Sequence, residues 1–325
     1  MFPSHVLRFI LTLALAATAA AAPVYKGAIV IEAQTGDVLF EDNADYVGPP
    51  ASVTKLMSFL VVTDAIRNGR LTLRTPVTTT TADSRIGGTQ VWLKEGEVFE
   101  VGELLRAMMV QSANDAAHAL AHAAAGSREA FVAAMNARAQ DLGMTHTIWR
   151  TPHGLPPSSR RIEESDVTSP RDLAKLSRAL INQTDILRYT SIERAPFGEG
   201  KRPQPVMMDN HNNLLGKVRG VDGLKTGFTR SAGFCLAATA ERDGRRLIAV
   251  IMGSPSSKER DVKMAELLEN TFAKLPPLRT ESPRATEPAT IVISPAPLPT
   301  PAASAPQQPS DEPPTVRFQL PSGTH

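Results

Sequence analysis

Residues 50–57 read Pro50-Ala51-Ser52-Val53-Thr54-Lys55-Leu56-Met57, and the rest of the chain is organised around them. Pro49 and Pro50 stop the extended segment that precedes them. Behind them Val53, Leu56, Met57, Leu60, Val61 and Ala65 recur at helical spacing. Ser52 is therefore expected at or just inside a helix N-terminus, with Lys55 one turn later on the same face. A serine hydroxyl is a weak nucleophile at neutral pH and needs a base within hydrogen-bond reach. A partly buried lysine near other cations can lose its proton and act as that base. The partial positive charge and free N–H groups of the helix N-terminus suit a developing oxyanion. Alone, Ser-x-x-Lys is a weak signal, because a serine before an apolar helix is usually only a cap.

Toward the N-terminus, residues 27–41 read as a hairpin. Gly27 to Ala33 is β-rich, Gln34-Thr35-Gly36-Asp37 is a turn, and Val38 to Glu41 returns. Toward the C-terminus, the Ser52 helix is expected to run to Asn68-Gly69. Short strands are expected at 77–81 and 87–93, then a helix at 102–110. Gln111-Ser112-Ala113-Asn114-Asp115 joins that helix to an alanine-rich one ending near Gly126. Between two helices, Ser-x-Asn can point a hydroxyl and an amide into one cleft, although both residues are also ordinary caps. Further helices are expected from Arg128 to Leu142 and from Thr168 to Ile181, with irregular chain at 143–167 between them.

A third polar piece, Lys225-Thr226-Gly227, lies on a strand expected at 218–227. It offers a cation, a hydroxyl and a close backbone to a bound carboxylate. Strands at 232–241 and 245–252 follow, joined by Arg242-Asp243-Gly244, and a helix capped by Ser256 or Ser257 runs to about Ala273. This order predicts an α+β fold. An antiparallel sheet is built from both chain ends and flanked by helices, with a mainly helical lobe inserted.

The 325 residues suffice for a large core, and a net charge of +2 gives no reason to expect nucleic acid as the main partner. The single cysteine, Cys235, allows no intrachain disulfide and lies in an apolar run, as a buried inert thiol would. Arg8, the apolar run Phe9–Ala17 and the alanines after it read as a secretory leader, residues 1–21, with cleavage after Ala20 or Ala21. Residues 22–275 are then the folded domain. Residues 276–325 form a tail in which thirteen of fifty residues are proline, too few of them apolar for a core. The tail shows no amphipathic anchor, and no partner is assigned to it.

Ser-x-x-Lys, Ser-x-Asn and Lys-Thr-Gly in this order form a joint signal far stronger than any one of them. With Thr151-Pro152-His153-Gly154-Leu155 they make residues 24–273 resemble the serine-type D-alanyl-D-alanine carboxypeptidases, the low-molecular-mass penicillin-binding proteins of the penicilloyl serine transferase superfamily. The resemblance implies a β-lactamase/transpeptidase-like fold. It makes Ser52 the nucleophile toward the penultimate D-alanine of a peptidoglycan stem peptide and Lys55 its base. Ser112 and Lys225 would pass a proton to the departing D-alanine, and Asn114 would orient the substrate. Thr226 and Arg260 would hold the terminal carboxylate, with Lys258 as the fallback for Arg260. The backbone N–H groups of Ser52 and Phe228, beside Gly227, would form the oxyanion hole. β-Lactams would acylate Ser52, and neither metal nor cofactor is implied.

The chain departs from the family pattern at Ala113, where many relatives have glycine, and at Phe228, where histidine or threonine is frequent. Many relatives also carry a second, β-rich domain and a membrane anchor, and here the proline-rich tail stands in that place. An endopeptidase cutting cross-links would use the same residues. A class A β-lactamase would need a water-holding glutamate, and Glu163 and Glu164 lack a following Glu-x-x-x-Asn pattern. A non-catalytic wall-binding protein is the reading from a different class. His118 and His122 are four apart on a helix but lack the glutamate of a zinc-protease motif, so a structural role is expected for them.

Overall fold

The computed structural model describes residues 24–159 and 161–276. The expected leader, and the tail from residue 277 onward, lie outside the described residues. In chain order, β1 (Gly27–Glu32) and β2 (Val38–Asp42) form the expected hairpin. A 3-10 turn, Ala51–Thr54, leads into α1 (Lys55–Arg67). Then come β3 (Pro76–Thr78), α2 (Thr81–Ser84), β4 (Val98–Glu100), α3 (Val101–Val110), α4 (Asn114–Ala125) and α5 (Arg128–Asp141). After a long irregular segment follow α6 (Pro170–Gln183), α7 (Leu187–Thr190), β5 (Arg194–Phe197) and β6 (Val206–Asp209). The chain closes with β7 (Val221–Thr229), β8 (Gly233–Arg242), β9 (Arg245–Ser254) and α8 (Ser257–Lys274).

The main sheet has the order β2-β1-β9-β8-β7, antiparallel throughout. Strand β1 from the start of the chain pairs with β9 from its end, Val30 opposite Ala249, so the two ends meet in mid-sheet and the helical lobe is the insertion between them. Side chains alternate across each strand. Ile29, Ile31, Ala237 and Val250 face the core around α1 and α6, whereas Ala28, Val30, Ala238 and Ile251 face Met264, Leu267 and Leu268 of α8. Both faces are covered, which is why β8 and β9 read as nearly unbroken apolar runs. Helix α1 is buried along nearly its whole circumference, Lys55 through Val62, as expected of a helix with α3, α4, α5 and α6 packed around it.

Two expectations need correction. Residues 87–93 form no strand. Their backbone is claimed by the start of α4. Asn114 N–H donates to the Thr89 carbonyl and Asn114 Nδ2 to that of Gly87, at 2.8 Å each. The Val91 and Leu93 amides donate to Asp115 at 3.3 and 3.0 Å. A ladder would need those same groups. Second, the β5–β6 hairpin was not foreseen. Pro196 lies inside it, opposite Met207, and proline argues against a strand in sequence. In a two-stranded sheet every strand is an edge, so the missing N–H costs no ladder bond. Phe197 packs on Phe99 with ring centroids 4.6 Å apart, and the Asp209 amide donates to Gln111 Oε1 at 3.0 Å, which ties the hairpin to the helical lobe beside α3. Among the described residues no helix is long and apolar enough to cross a membrane.

Candidate active site

Ser52 sits in the 3-10 turn, with Lys55 as the first residue of α1. The turn is held from both sides. Ala51 adopts φ +52°, a left-handed conformation costly for a residue with a Cβ. On one side Gly154 packs so closely that a Cβ there would overlap the Ala51 carbonyl. On the other, a Cβ on Gly227 of β7 would stand 2.5 Å from the Pro50 carbonyl oxygen and 3.0 Å from the Ser52 amide nitrogen. Only glycine permits β7 to run this close, and the approach brings the Gly227–Phe228 backbone beside the Ser52 N–H.

Lys55 is completely buried. Its Nζ lies 3.0 Å from Ser52 Oγ, 2.6 Å from Asn114 Oδ1 and 2.8 Å from the His153 carbonyl oxygen. Burial first, and the nearby Lys225 charge second, hold its ammonium well below the usual lysine range against the opposing pull of Asp166 and Asp115. Lys225 is also buried. Desolvation, then the field of Arg260, lowers it to about 7. Its Nζ donates to the Thr226 carbonyl at 3.1 Å, and among the described residues no hydrogen bond joins it to Ser112. Ser112 is 2% exposed and adopts φ +64°, a second strained position at the same cleft.

The cleft has a volume of about 310 Å³ and is lined by Ser52, Thr89, Ser112, Thr226, Gly227, Phe228 and Arg260, with His211 and Asn213 from the turn after β6. Strand β7 is the open edge of the main sheet, so an extended peptide can lie along it and borrow its backbone hydrogen bonds. Phe228 is 53% exposed at the cleft mouth and stacks on Phe234, ring centroids 4.2 Å apart. Arg260 reaches the cleft from the first turn of α8. Lys258, the fallback, is exposed and lines a separate depression with Val24 and Val262. Every site residue expected from the sequence therefore lies on this cleft or on Lys55 or Lys225 behind it.

The model of the D-alanyl-D-alanine carboxypeptidase family, peptidase S11, matches residues 16–256. The chain belongs to this family. It is 34% identical to the D-alanyl-D-alanine carboxypeptidase DacF of Bacillus subtilis over 249 residues, 77% of this chain and 62% of DacF. With DacC of Escherichia coli it shares 36% identity over 247 residues, 74% of this chain and 59% of DacC. It thus spans about three fifths of the length of these curated relatives. Among solved structures, ampicillin-bound penicillin-binding protein D2 of Listeria monocytogenes matches with a TM-score of 0.68 and 31% identity, over 77% of this chain and 97% of that one. DacD of Francisella tularensis matches with a TM-score of 0.71 and 29% identity, over 75% and 69%. The peptidase fold is therefore the penicillin-binding, transpeptidase-like one.

Two residues around the cleft escaped the sequence reading. His153 entered that reading only as part of the 151–155 stretch, yet its carbonyl is one of the three polar partners of Lys55. No pattern flagged Asp166. It is buried and accepts from the Arg150 and Thr151 amides and from the Thr151 and Thr54 hydroxyls, at 2.6 to 3.0 Å. Burial raises its carboxyl above the ordinary value against those bonds. It pins the 150–154 loop, and with it the His153 carbonyl, to the Ser52 turn. His118 and His122 bind the two oxygens of buried Asp83 at 2.6 and 3.0 Å. Burial alone would raise Asp83, but His118, His122 and Thr80 outweigh it and hold the carboxyl below its ordinary range. The pair thus clamps α2 to α4, and among the described residues no cluster suits a metal ion.

Proposed function

We propose that this chain is a serine D-alanyl-D-alanine carboxypeptidase that removes the terminal D-alanine from peptidoglycan stem peptides through an acyl-enzyme on Ser52. The observation that carries the reading is the environment of Lys55. A neutral amine has two N–H donors and one lone pair. Asn114 Oδ1 and the His153 carbonyl take the two donors. The lone pair is then left for the Ser52 hydroxyl, 3.0 Å away. Burial shifts Lys55 toward that neutral form, the one able to accept the Ser52 proton.

In this mechanism Ser52 Oγ attacks the carbonyl carbon of the penultimate residue while its proton passes to Lys55. The N–H groups of Ser52 and Phe228 stabilise the tetrahedral oxyanion. Collapse breaks the C–N bond, and the departing amine takes the proton that Lys55 had accepted, relayed through Ser112 and Lys225, which leaves Lys55 neutral again. Lys225, lowered to about 7, can give and regain a proton near neutral pH. Water, deprotonated by the same base, then attacks the ester and frees Ser52. Asn114 orients the substrate and Lys55 together, and Thr226 and Arg260 hold the terminal carboxylate. β-Lactams would acylate Ser52 by the same first step.

Residues 22–275 would be the catalytic domain, exported by a leader ending near residue 21 to act in the cell-wall space, with the proline-rich segment as a tail. The test is incubation with a pentapeptide stem ending in D-Ala-D-Ala and with a cross-linked dimer, read by mass spectrometry. Free D-alanine from the pentapeptide supports the proposal. Monomer released from the dimer alone would replace it with an endopeptidase. Neither product, with no penicillin adduct on Ser52, would overturn it in favour of wall binding.

A further inference from the structure

Arg260 is 3% exposed, although it lines the cleft. A buried guanidinium must find partners. Its Nε and Nη2 both donate to Asp261 Oδ1, at 2.8 and 2.6 Å. Neighbouring residues on a helix do not normally face each other, so this is not the usual pair along a helix surface. The second carboxylate oxygen, Asp261 Oδ2, accepts from Asn213 Nδ2 at 3.0 Å, and Asn213 itself lines the cleft from the turn after β6. Both oxygens of Asp261 are thereby engaged, one by the arginine and one by a separate part of the fold. Nη1 lies 3.5 Å from the Cys235 carbonyl oxygen, a marginal contact.

The guanidinium has two edges that can grip a carboxylate. Asp261 occupies the side edge, Nε with Nη2. The end edge, one N–H of Nη1 and one of Nη2, is left. We propose that Asp261 is a positioning residue: anchored by Asn213, it locks the Arg260 guanidinium so that its end edge serves as a two-point receptor for the terminal carboxylate of the substrate. The identity of the ligand rests on the peptidase reading above, whereas the lock does not. With one edge blocked, a carboxylate has one way to bind in register, and its orientation fixes how far along β7 the scissile carbonyl lies from Ser52. Simple neutralisation of a buried arginine would need a negative charge nearby but neither the shared oxygen nor the tie to Asn213.

The test compares Asp261→Asn and Asn213→Ala with the wild-type chain on two peptides that differ only in ending as a free carboxylate or as its amide. Asp261→Asn should lower kcat/KM on the carboxylate by about 10- to 100-fold, the range of a charge-assisted hydrogen bond, mostly through KM. Its effect on the amide should stay below about twofold, and Asn213→Ala should give a smaller loss of the same kind. Equal losses on both peptides, or no loss on the carboxylate, would overturn the proposal. Hydrogen exchange at Arg260 Nε, followed by NMR, is independent of turnover. It should accelerate at least about tenfold in Asp261→Asn, and unchanged exchange would overturn the lock. A wild-type chain that turns over neither peptide would defeat the peptidase reading, while the Nε exchange would still decide the lock.

Discussion

The Lys55 amine nitrogen, itself fully buried, stands 3.0 Å from the Ser52 hydroxyl oxygen across one short turn of chain. On the proposed mechanism this relationship would tie the acylation rate to the protonation of one lysine. Lys55→Met keeps an unbranched stem of similar bulk but removes the base, and should slow acylation of Ser52 by a fluorescent penicillin about 10²- to 10⁴-fold. In the wild-type chain the acylation rate should rise with pH as Lys55 loses its proton. Because burial holds its ammonium well below the usual lysine range, the rise should level off well before pH ~10. A rate still climbing at that pH would show a lysine of ordinary basicity.

Lys225 makes stability depend on pH. The unfolded chain keeps this proton to near pH ~10.4, whereas the folded chain releases it near pH 7. Between those values the unfolded state binds more protons, so stability rises with pH there, with a slope of at most about 1.4 kcal/mol per pH unit from this group. Below pH ~7 both states are protonated and the cost of the buried charge is carried in full. Urea unfolding from pH 7 to 9.5 should show this slope in the wild-type chain and a clearly smaller one in Lys225→Met.

Gly227→Ala should damage the site without abolishing the fold. The new methyl would stand 2.5 Å from the Pro50 carbonyl oxygen, a backbone atom that cannot swing aside, so β7 must retreat from the Ser52 turn. A stability loss of about 1–3 kcal/mol is expected from such overpacking. A larger proportional loss is expected in acylation, because the Phe228 N–H withdraws with β7. Thermal unfolding and penicillin labelling, measured on the same sample, separate the two effects.

Asp166→Ala leaves two amides and two hydroxyls without their acceptor. We expect about 2–4 kcal/mol of destabilisation in chemical unfolding, since each buried unsatisfied donor is costly. Acylation should slow as well, because the His153 carbonyl loses its fixed place beside Lys55. A variant as stable as the wild-type chain would show that water replaces the carboxylate.

Much of the fold was legible in the sequence because local signals agreed with the tertiary outcome. The β1–β2 hairpin, α1, α4 with Gly126 at φ +80° as its cap, and α6 with Pro170 in its first turn all lie where periodicity and capping put them. The misses have separate causes. Residues 87–93 look like a strand but give their backbone groups to Asn114 and Asp115, more than twenty residues away. The β5–β6 hairpin carries a proline that sequence reading penalises and a two-stranded edge tolerates.

By itself, the sequence determined which chemical groups are available and their local frames: a serine one turn before a lysine, a serine two residues before an asparagine, and a lysine-threonine-glycine strand. Only the tertiary structure decided that these meet. The His153 carbonyl, the Asp166 anchor and the Asp261–Asn213 tie on Arg260 join positions that follow no periodic spacing. The physical reason lies in the range of the interactions. Helical spacing and caps are set by neighbours within a few residues. The basicity of Lys55 and the aim of Arg260 come from burial and from partners brought together only when the sheet closes β1 onto β9 and lays α8 and the helical lobe against its two faces.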